Sequence, residues 1–127
     1  MAHKYDHQTL STINSTRSIT PINGVFVEAG LLVQDTAGGE FELANGTKPI
    51  LGVVIGLQGT YNNMGVNQSI AIQSEEITCQ VDGSYNAGDI AFSTIDGKAT
   101  ADNANAISAF GVFTRSKVGN IGFIRRV

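Results

Sequence analysis

The sequence has 127 residues, of which 42% are hydrophobic and only 15% are charged, with 15 glycines, one cysteine and a formal net charge of −3. This length and apolar content fit a single globular domain and exclude a disordered, highly charged tail. One cysteine excludes a disulfide scaffold and a clustered Cys/His zinc site, and the acidic balance argues against nucleic-acid binding.

Residues 1–23 differ in composition from the remainder, since every glycine falls at or after Gly24. Ser, Thr and Ile are scattered through this stretch with neither helical nor strand periodicity, which predicts an extended N-terminal arm. Pro21 and the Asn23-Gly24 turn signal mark its junction with a body of residues 24–127. Such an arm either frays in solution or adds to the sheet of a neighbouring subunit or partner.

The body shows apolar residues at a period of two, bounded by turn residues, which predicts eight to ten short strands and an all-β fold. We expect a single small β-sandwich or barrel, jelly-roll-like in arrangement. The near-continuous apolar run at 50–55 predicts a central strand covered on both faces. In chain order, the predicted strands lie at Val25–Val27, Leu31–Val33, Phe41–Leu43, Ile50–Ile55, Ile70–Ile72, Ile77–Val81, Ile90–Phe92, Ile107–Phe113 and Ile121–Arg125.

The body also contains an internal repeat. Residues 29–33 (AGLLV) resemble residues 87–91 (AGDIA), and residues 51–54 (LGVV) resemble residues 110–113 (FGVF). In each copy one glycine supplies a turn and the other, inside a strand, indicates a bulge or a close approach of backbones. Either two related halves pack around one core, or glycine-rich β sequences are alike by chance.

Catalytic and metal-binding patterns are absent from the sequence. His3 and His7 both lie in the arm without a third ligand nearby, so we expect no metal site. Asp82-Gly83 and Asp96-Gly97 are turn signals. Cys79 alternates with Ile77 and Val81, which favours a buried small hydrophobic residue over a nucleophile. We therefore expect no enzyme and no cofactor.

The membrane and secretory classes are equally unsupported. No run of 18 or more apolar residues is present, and the N-terminus lacks the apolar core of a signal peptide. We expect no membrane span and a protein made in a reducing cytoplasm. The longest irregular polar stretch, residues 56–65, is either an adhesive loop with Tyr61, Asn62, Asn63 and Met64 or an ordinary surface loop.

The order of these segments resembles the small bacteriophage capsid decoration (cement) proteins. The segments that carry the resemblance are residues 29–33, 51–54, 81–83, 87–92, 96–100, 110–112 and 121–125. They cover residues 24–127 in order. The first copy has Leu31 where the pattern often has Asp, and the arm has no counterpart in the family.

The resemblance implies a β-rich structural virion protein that is made in the host cytoplasm, binds the outer surface of a phage capsid and stabilises capsomer contacts. Its partner would be the major capsid protein, and it would form a symmetric oligomer, with a trimer favoured over a dimer. The alternative is a small carbohydrate- or ligand-binding β module of a phage tail or surface structure. The candidate partner-binding residues are Tyr5, Leu10, Ile13, Arg17, Ile19, Tyr61, Asn62 and Met64.

Overall fold

The computed structural model describes residues 15–55, 63–64, 67–73, 76–102 and 109–127. Within these ranges the chain forms eleven β-strands and one short 3₁₀ turn at Ile22–Gly24, and none of its helices is long and apolar enough to cross a membrane. The strands are β1 (Ser15–Ile19), β2 (Leu32–Asp35), β3 (Phe41–Leu43), β4 (Gly52–Val54), β5 (Asn63–Met64), β6 (Asn67–Gln73), β7 (Ile77–Gln80), β8 (Ile90–Ser93), β9 (Ala99–Thr100), β10 (Gly111–Val118) and β11 (Ile121–Arg126).

The strands form two antiparallel sheets. The N-terminal sheet has the order β1-β6-β4-β2-β3, with β5 paired to β6, and the C-terminal sheet has the order β7-β11-β10-β8-β9. The prediction of an all-β sandwich is confirmed. The strand β4, predicted to be covered on both faces, is central in its sheet and fully buried.

The two sheets repeat one another strand for strand. β1, β2, β3, β4 and β6 occupy the same places in the first order that β7, β8, β9, β10 and β11 occupy in the second. Each sheet is contiguous in sequence, whereas a jelly roll exchanges strands between its sheets. The arrangement is therefore a tandem repeat rather than jelly-roll-like, as the matched glycine segments indicate.

The repeated glycines have the roles expected from the sequence. Gly30 and Gly88 adopt φ of +92° and +97°, and their N–H groups donate to the carbonyls of Val54 and Phe113 at 2.7 and 2.8 Å. A left-handed conformation of this kind favours glycine because a Cβ is strained there. In both halves a glycine turn therefore precedes the second strand and is hydrogen-bonded to the equivalent strand, β4 or β10.

Each sheet curls until its two edges meet at one end. Pro21, just after β1, forms a parallel bridge with Phe41 in β3, and the Phe41 N–H donates to the Thr20 carbonyl at 3.1 Å. In the second half Val81 forms the equivalent bridge with Ala99, which accepts a hydrogen bond from the Asp82 N–H at 2.9 Å. The junction between the two edge strands of each sheet is called its seam below.

Two apolar clusters stabilise the fold. The larger joins one face of the N-terminal sheet, with Leu32, Val53 and Ala71, to the interior of the C-terminal half, with Cys79 and Phe113. The smaller lies on the opposite face of the N-terminal sheet and contains Val27, Val33, Phe41, Val54 and Ile70. Because adjacent strand residues point to opposite faces, Leu32 and Val33 each contribute to a different cluster.

Three predicted segments differ from the observed elements. The strand predicted at Ile107–Phe113 is observed as β10, Gly111–Val118. Val25–Val27 is predicted as a strand but runs as irregular backbone, because a side chain of β6 rather than a neighbouring strand satisfies Val27. Within the predicted arm, Ser15–Ile19 forms β1, which pairs with β6 of the same chain. Residues 1–14 lie outside the described residues, so their contact with a neighbour stays a prediction.

Candidate functional site

No group of three or more His, Cys, Asp or Glu side chains within the described residues is placed to hold a metal ion. Cys79 is fully buried among apolar side chains, and this burial raises the pKa of its thiol to about 12. A thiol with so high a pKa is a poor nucleophile, so Cys79 acts as part of the core.

A compact charged cluster lies on the β10–β11 hairpin, beside the start of β7. Glu76 accepts hydrogen bonds from the Thr114 hydroxyl at 2.5 Å and from the Arg115 guanidinium at 3.0 Å. These two bonds lower the pKa of Glu76. Arg115 also lies 3.9 Å above the centre of the Phe123 ring. The cluster fixes the β10–β11 hairpin to Glu76, the residue before β7.

A second polar feature joins the two halves at the end of β11. Arg126 donates through Nη1 to the carbonyls of Leu51 and Ile72, each at 2.8 Å, and through Nη2 to that of Ile50 at 2.6 Å. Partial burial lowers the pKa of this guanidinium. It lines a groove of about 460 Å³, but Nη1 and Nη2 are directed at backbone carbonyls, so the role of Arg126 is to hold the halves together.

The seam of the N-terminal half opens into a groove of about 660 Å³, which we call the seam groove. β1 forms one wall with Arg17, Ser18 and Ile19, and the end of β2 and the following turn form the other. Arg17 is exposed and Ile19 is half-buried against the smaller apolar cluster. Asp35 and Gly39, both exposed, complete the opposite side.

The outer face of the C-terminal sheet is the second uncovered surface, and we call it the outer sheet face. Ile90 pairs with Val112, and Val112 pairs with Arg125, so the three side chains share one face. Ile90 is 54% exposed, Val112 is half-buried and Arg125 is exposed. An exposed isoleucine inside a strand, bordered by an arginine, is typical of a surface that binds a partner.

The structure brings together only part of the predicted partner-binding set. Arg17 and Ile19 lie on the same wall of the seam groove. Met64 lies in β5, where its backbone pairs with Asn67. The residues outside the described ranges are Tyr5, Leu10, Ile13, Tyr61 and Asn62.

Sequence reasoning missed the outer sheet face. Ile90 and Val112 were assigned to predicted strands, but their alternation does not distinguish a covered face from an open one. The available signal was the internal repeat, which aligns Ile90 and Val112 with Leu32 and Val53. The two halves therefore carry equivalent apolar faces, of which the one with Leu32 and Val53 is buried.

Comparison with known proteins shows that the fold is similar to that of a chain in a viral structure. No protein-family model matches the sequence, and no curated protein matches it significantly. Among solved structures, the chain is similar to one from "The capsid of Myoviridae Phage XM1", with a TM-score of 0.59 and 16% sequence identity. The similarity covers 91% of this chain and 84% of that chain. At this identity it shows a shared fold.

Proposed function

We propose that this chain is a structural protein of a bacteriophage virion, which binds the outer surface of the capsid and stabilises contacts between capsomers. The observation that carries the proposal is the fold shared, over most of both chains, with a chain of a phage capsid structure. The similar coverage of the two chains means that they are also similar in length.

The surface chemistry supports a role in binding rather than catalysis. The seam groove and the outer sheet face are formed largely by strands, whose backbones pair with neighbouring strands of the same half. Rigid surfaces of this kind lose little conformational entropy on binding. Repeated over a symmetric shell, many modest contacts would stabilise the capsid through avidity, without a single tight site. We propose a non-enzymatic role with the major capsid protein as partner.

The test is binding to purified phage capsids. The protein, mixed with capsids that lack it, is sedimented, and the bound amount is quantified against the major capsid protein. We expect saturation at a stoichiometric ratio set by capsid symmetry, together with a higher temperature of capsid disruption. Binding to a glycan panel without binding to capsids would instead favour the carbohydrate-binding module, and absence of both would contradict the proposal.

The arm is tested in the same assay. A variant lacking residues 1–14 keeps every described strand and should bind capsids more weakly if the arm lies along the major capsid protein or a sister subunit. Unchanged binding of this variant would contradict that part of the proposal alone.

A further inference from the structure

Because the two halves are repeats, each sheet has an equivalent apolar face, but only the face of the N-terminal sheet is covered by the other half. The N-terminal sheet presents Leu32, Val53 and Ala71 on one face, and these residues are 0%, 2% and 6% exposed because the C-terminal half covers them. The equivalent residues of the C-terminal sheet are Ile90, Val112 and Arg125, which form the outer sheet face. The same face is therefore buried in the first half and open in the second.

The receiving side of this contact shows the opposite pattern. In the C-terminal half the seam is covered: Ile77 is 3% exposed, Ser93 is 1% exposed and Gly97 is buried. The equivalent residues of the N-terminal half are Arg17, Asp35 and Gly39, all of which are exposed and line the seam groove. The N-terminal sheet packs on the seam of the C-terminal half. The seam groove is the equivalent surface of the N-terminal half, and it is uncovered.

We propose that the outer sheet face docks in the seam groove of a second copy of this chain, so that subunits associate head to tail. The contact between subunits then repeats the contact between the two halves. The proposal concerns association of the chain with itself and does not depend on capsid binding.

The contact between the two halves of one chain shows which interactions docking would form between subunits. Its backbone hydrogen bonds run from the Leu32 N–H to the Gly97 carbonyl at 2.7 Å and from the Gln80 N–H to the Gly30 carbonyl at 2.8 Å. A Cβ on Gly97 would collide with Leu43, so the turn approaches the sheet very closely. By the same geometry, Ile90 of one subunit lies against the turn at Gly39 of the next.

Charge distinguishes the open surfaces from the covered ones. Asp35 and Arg17 in the groove replace Ser93 and Ile77, and Arg125 on the outer sheet face replaces Ala71. The groove therefore carries one charge of each sign, and Asp35 is the groove residue whose charge is complementary to Arg125. A face that meets a different face of its partner forms a heterologous interface, which closes into a ring when the rotation permits.

The first experiment measures molar mass by light scattering and sedimentation over a range of concentrations. Wild type should form a concentration-dependent oligomer. Ile90→Glu on the face and Asp35→Arg in the groove should each raise the dissociation constant about tenfold or more, as loss of an interface anchor does. The matched controls are Ile95→Glu and Asp96→Arg, which place the same changes at exposed positions of a turn and should associate like wild type.

The second experiment mixes the two interface variants. Ile90→Glu keeps an intact groove and Asp35→Arg keeps an intact face, so an equimolar mixture should form a heterodimer although each variant alone is monomeric. An interface in which the same face meets itself cannot be restored in this way. Circular dichroism and thermal unfolding of each variant confirm that it is folded before its mass is interpreted.

Three results would overturn the proposal. The first is a wild-type chain that stays monomeric at all concentrations, and the second is an Ile90→Glu variant that associates like wild type. The third is a mixture that remains monomeric. If the full chain is monomeric but a variant lacking residues 1–14 associates, the groove belongs to the chain's own N-terminus, and the proposal fails.

Discussion

The side-chain amide of Gln68 binds the backbone of Val27 in the way that a neighbouring strand would. The Val27 N–H donates to Oε1 of Gln68 at 2.8 Å, and Nε2 of Gln68 donates to the Val27 carbonyl at 2.7 Å. Gln68 is fully buried, so neither bond competes with water. One side chain thus fixes the segment that covers the smaller apolar cluster.

Replacing Gln68 by Leu should therefore be strongly destabilising. The substitution leaves a buried N–H and a buried carbonyl without partners, and each such group costs about 1–3 kcal/mol. We expect the free energy of unfolding in urea to fall by about 2–5 kcal/mol. Thr78→Val, at an exposed position of β7, is the control and should change it by less than about 0.5 kcal/mol. Equal effects of the two substitutions would contradict this assignment.

The same pair of residues shows where sequence reasoning reaches its limit. Val25 and Val27 alternate as in a strand, but Gln68 takes the place of the strand partner, and no local pattern reveals that replacement. In the second half the equivalent of Gln68 is Gly122, which leaves room for the Tyr85 ring. The positions of β2, β3, β4, β7 and β8 could be predicted from the sequence, because the apolar periodicity of each strand lies within its own few residues.

The edge strand and the seam groove required the tertiary structure. β1 carries Thr16, Arg17 and Ser18, all exposed, so it lacks the apolar alternation that marks a strand with one buried face. It is extended because β6 pairs with it from some fifty residues away. The groove depends in turn on the bridge between Pro21 and Phe41, which is equally non-local.

Gly52 and Gly111, the equivalent glycines of β4 and β10, should not tolerate replacement by alanine. A Cβ on Gly111 would lie 2.5 Å from the Arg125 carbonyl oxygen and 2.7 Å from Cγ2 of Ile124, and Gly52 meets the backbone of Ala71 in the same way. Gly52→Ala and Gly111→Ala should each destabilise by about 1–3 kcal/mol or more, because neighbouring strands must separate. Gly38→Ala is the control: its Cβ would be 3.7 Å from the nearest atom, on a Glu40 side chain, and thermal unfolding should change little.

Arg126 is expected to be irreplaceable by Lys. Its planar guanidinium reaches the carbonyls of Ile50, Leu51 and Ile72 from two nitrogen atoms. A lysine ammonium carries all of its N–H bonds on one nitrogen atom. Arg126→Lys should lower the free energy of unfolding by about 1–3 kcal/mol, since hydrogen bonds to a charged group are lost in a half-buried site. Arg125→Lys, one residue earlier and exposed, should be nearly neutral in denaturant unfolding. An equal loss in both variants would show that general charge or packing, not the three carbonyls, sets the cost.

The Glu76 cluster predicts an acid-dependent contribution to stability. Hydrogen bonds from Thr114 and Arg115 lower the pKa of Glu76 in the folded state below its ordinary value of 4.5. The stabilisation is therefore complete above that value and is lost as the pH falls through the lowered folded pKa. In unfolding measurements at successive pH values, the difference between wild type and Glu76→Gln should shrink as the solution is acidified. Asp96→Asn, in an exposed turn, is the control, and a difference that is constant with pH would contradict the assignment.

The thiol of Cys79 should report global unfolding. Burial raises its pKa to about 12, so at pH 8 about one thiol in ten thousand is ionised even before access is considered. We expect a disulfide exchange reagent to leave the native protein unlabelled while it labels the denatured protein completely. In increasing urea the labelling rate should follow the unfolding transition measured by circular dichroism, because Cys79 lies in the cluster that joins both halves. Rapid stoichiometric labelling without denaturant would mean that the second half opens locally, independently of the contact that covers its seam.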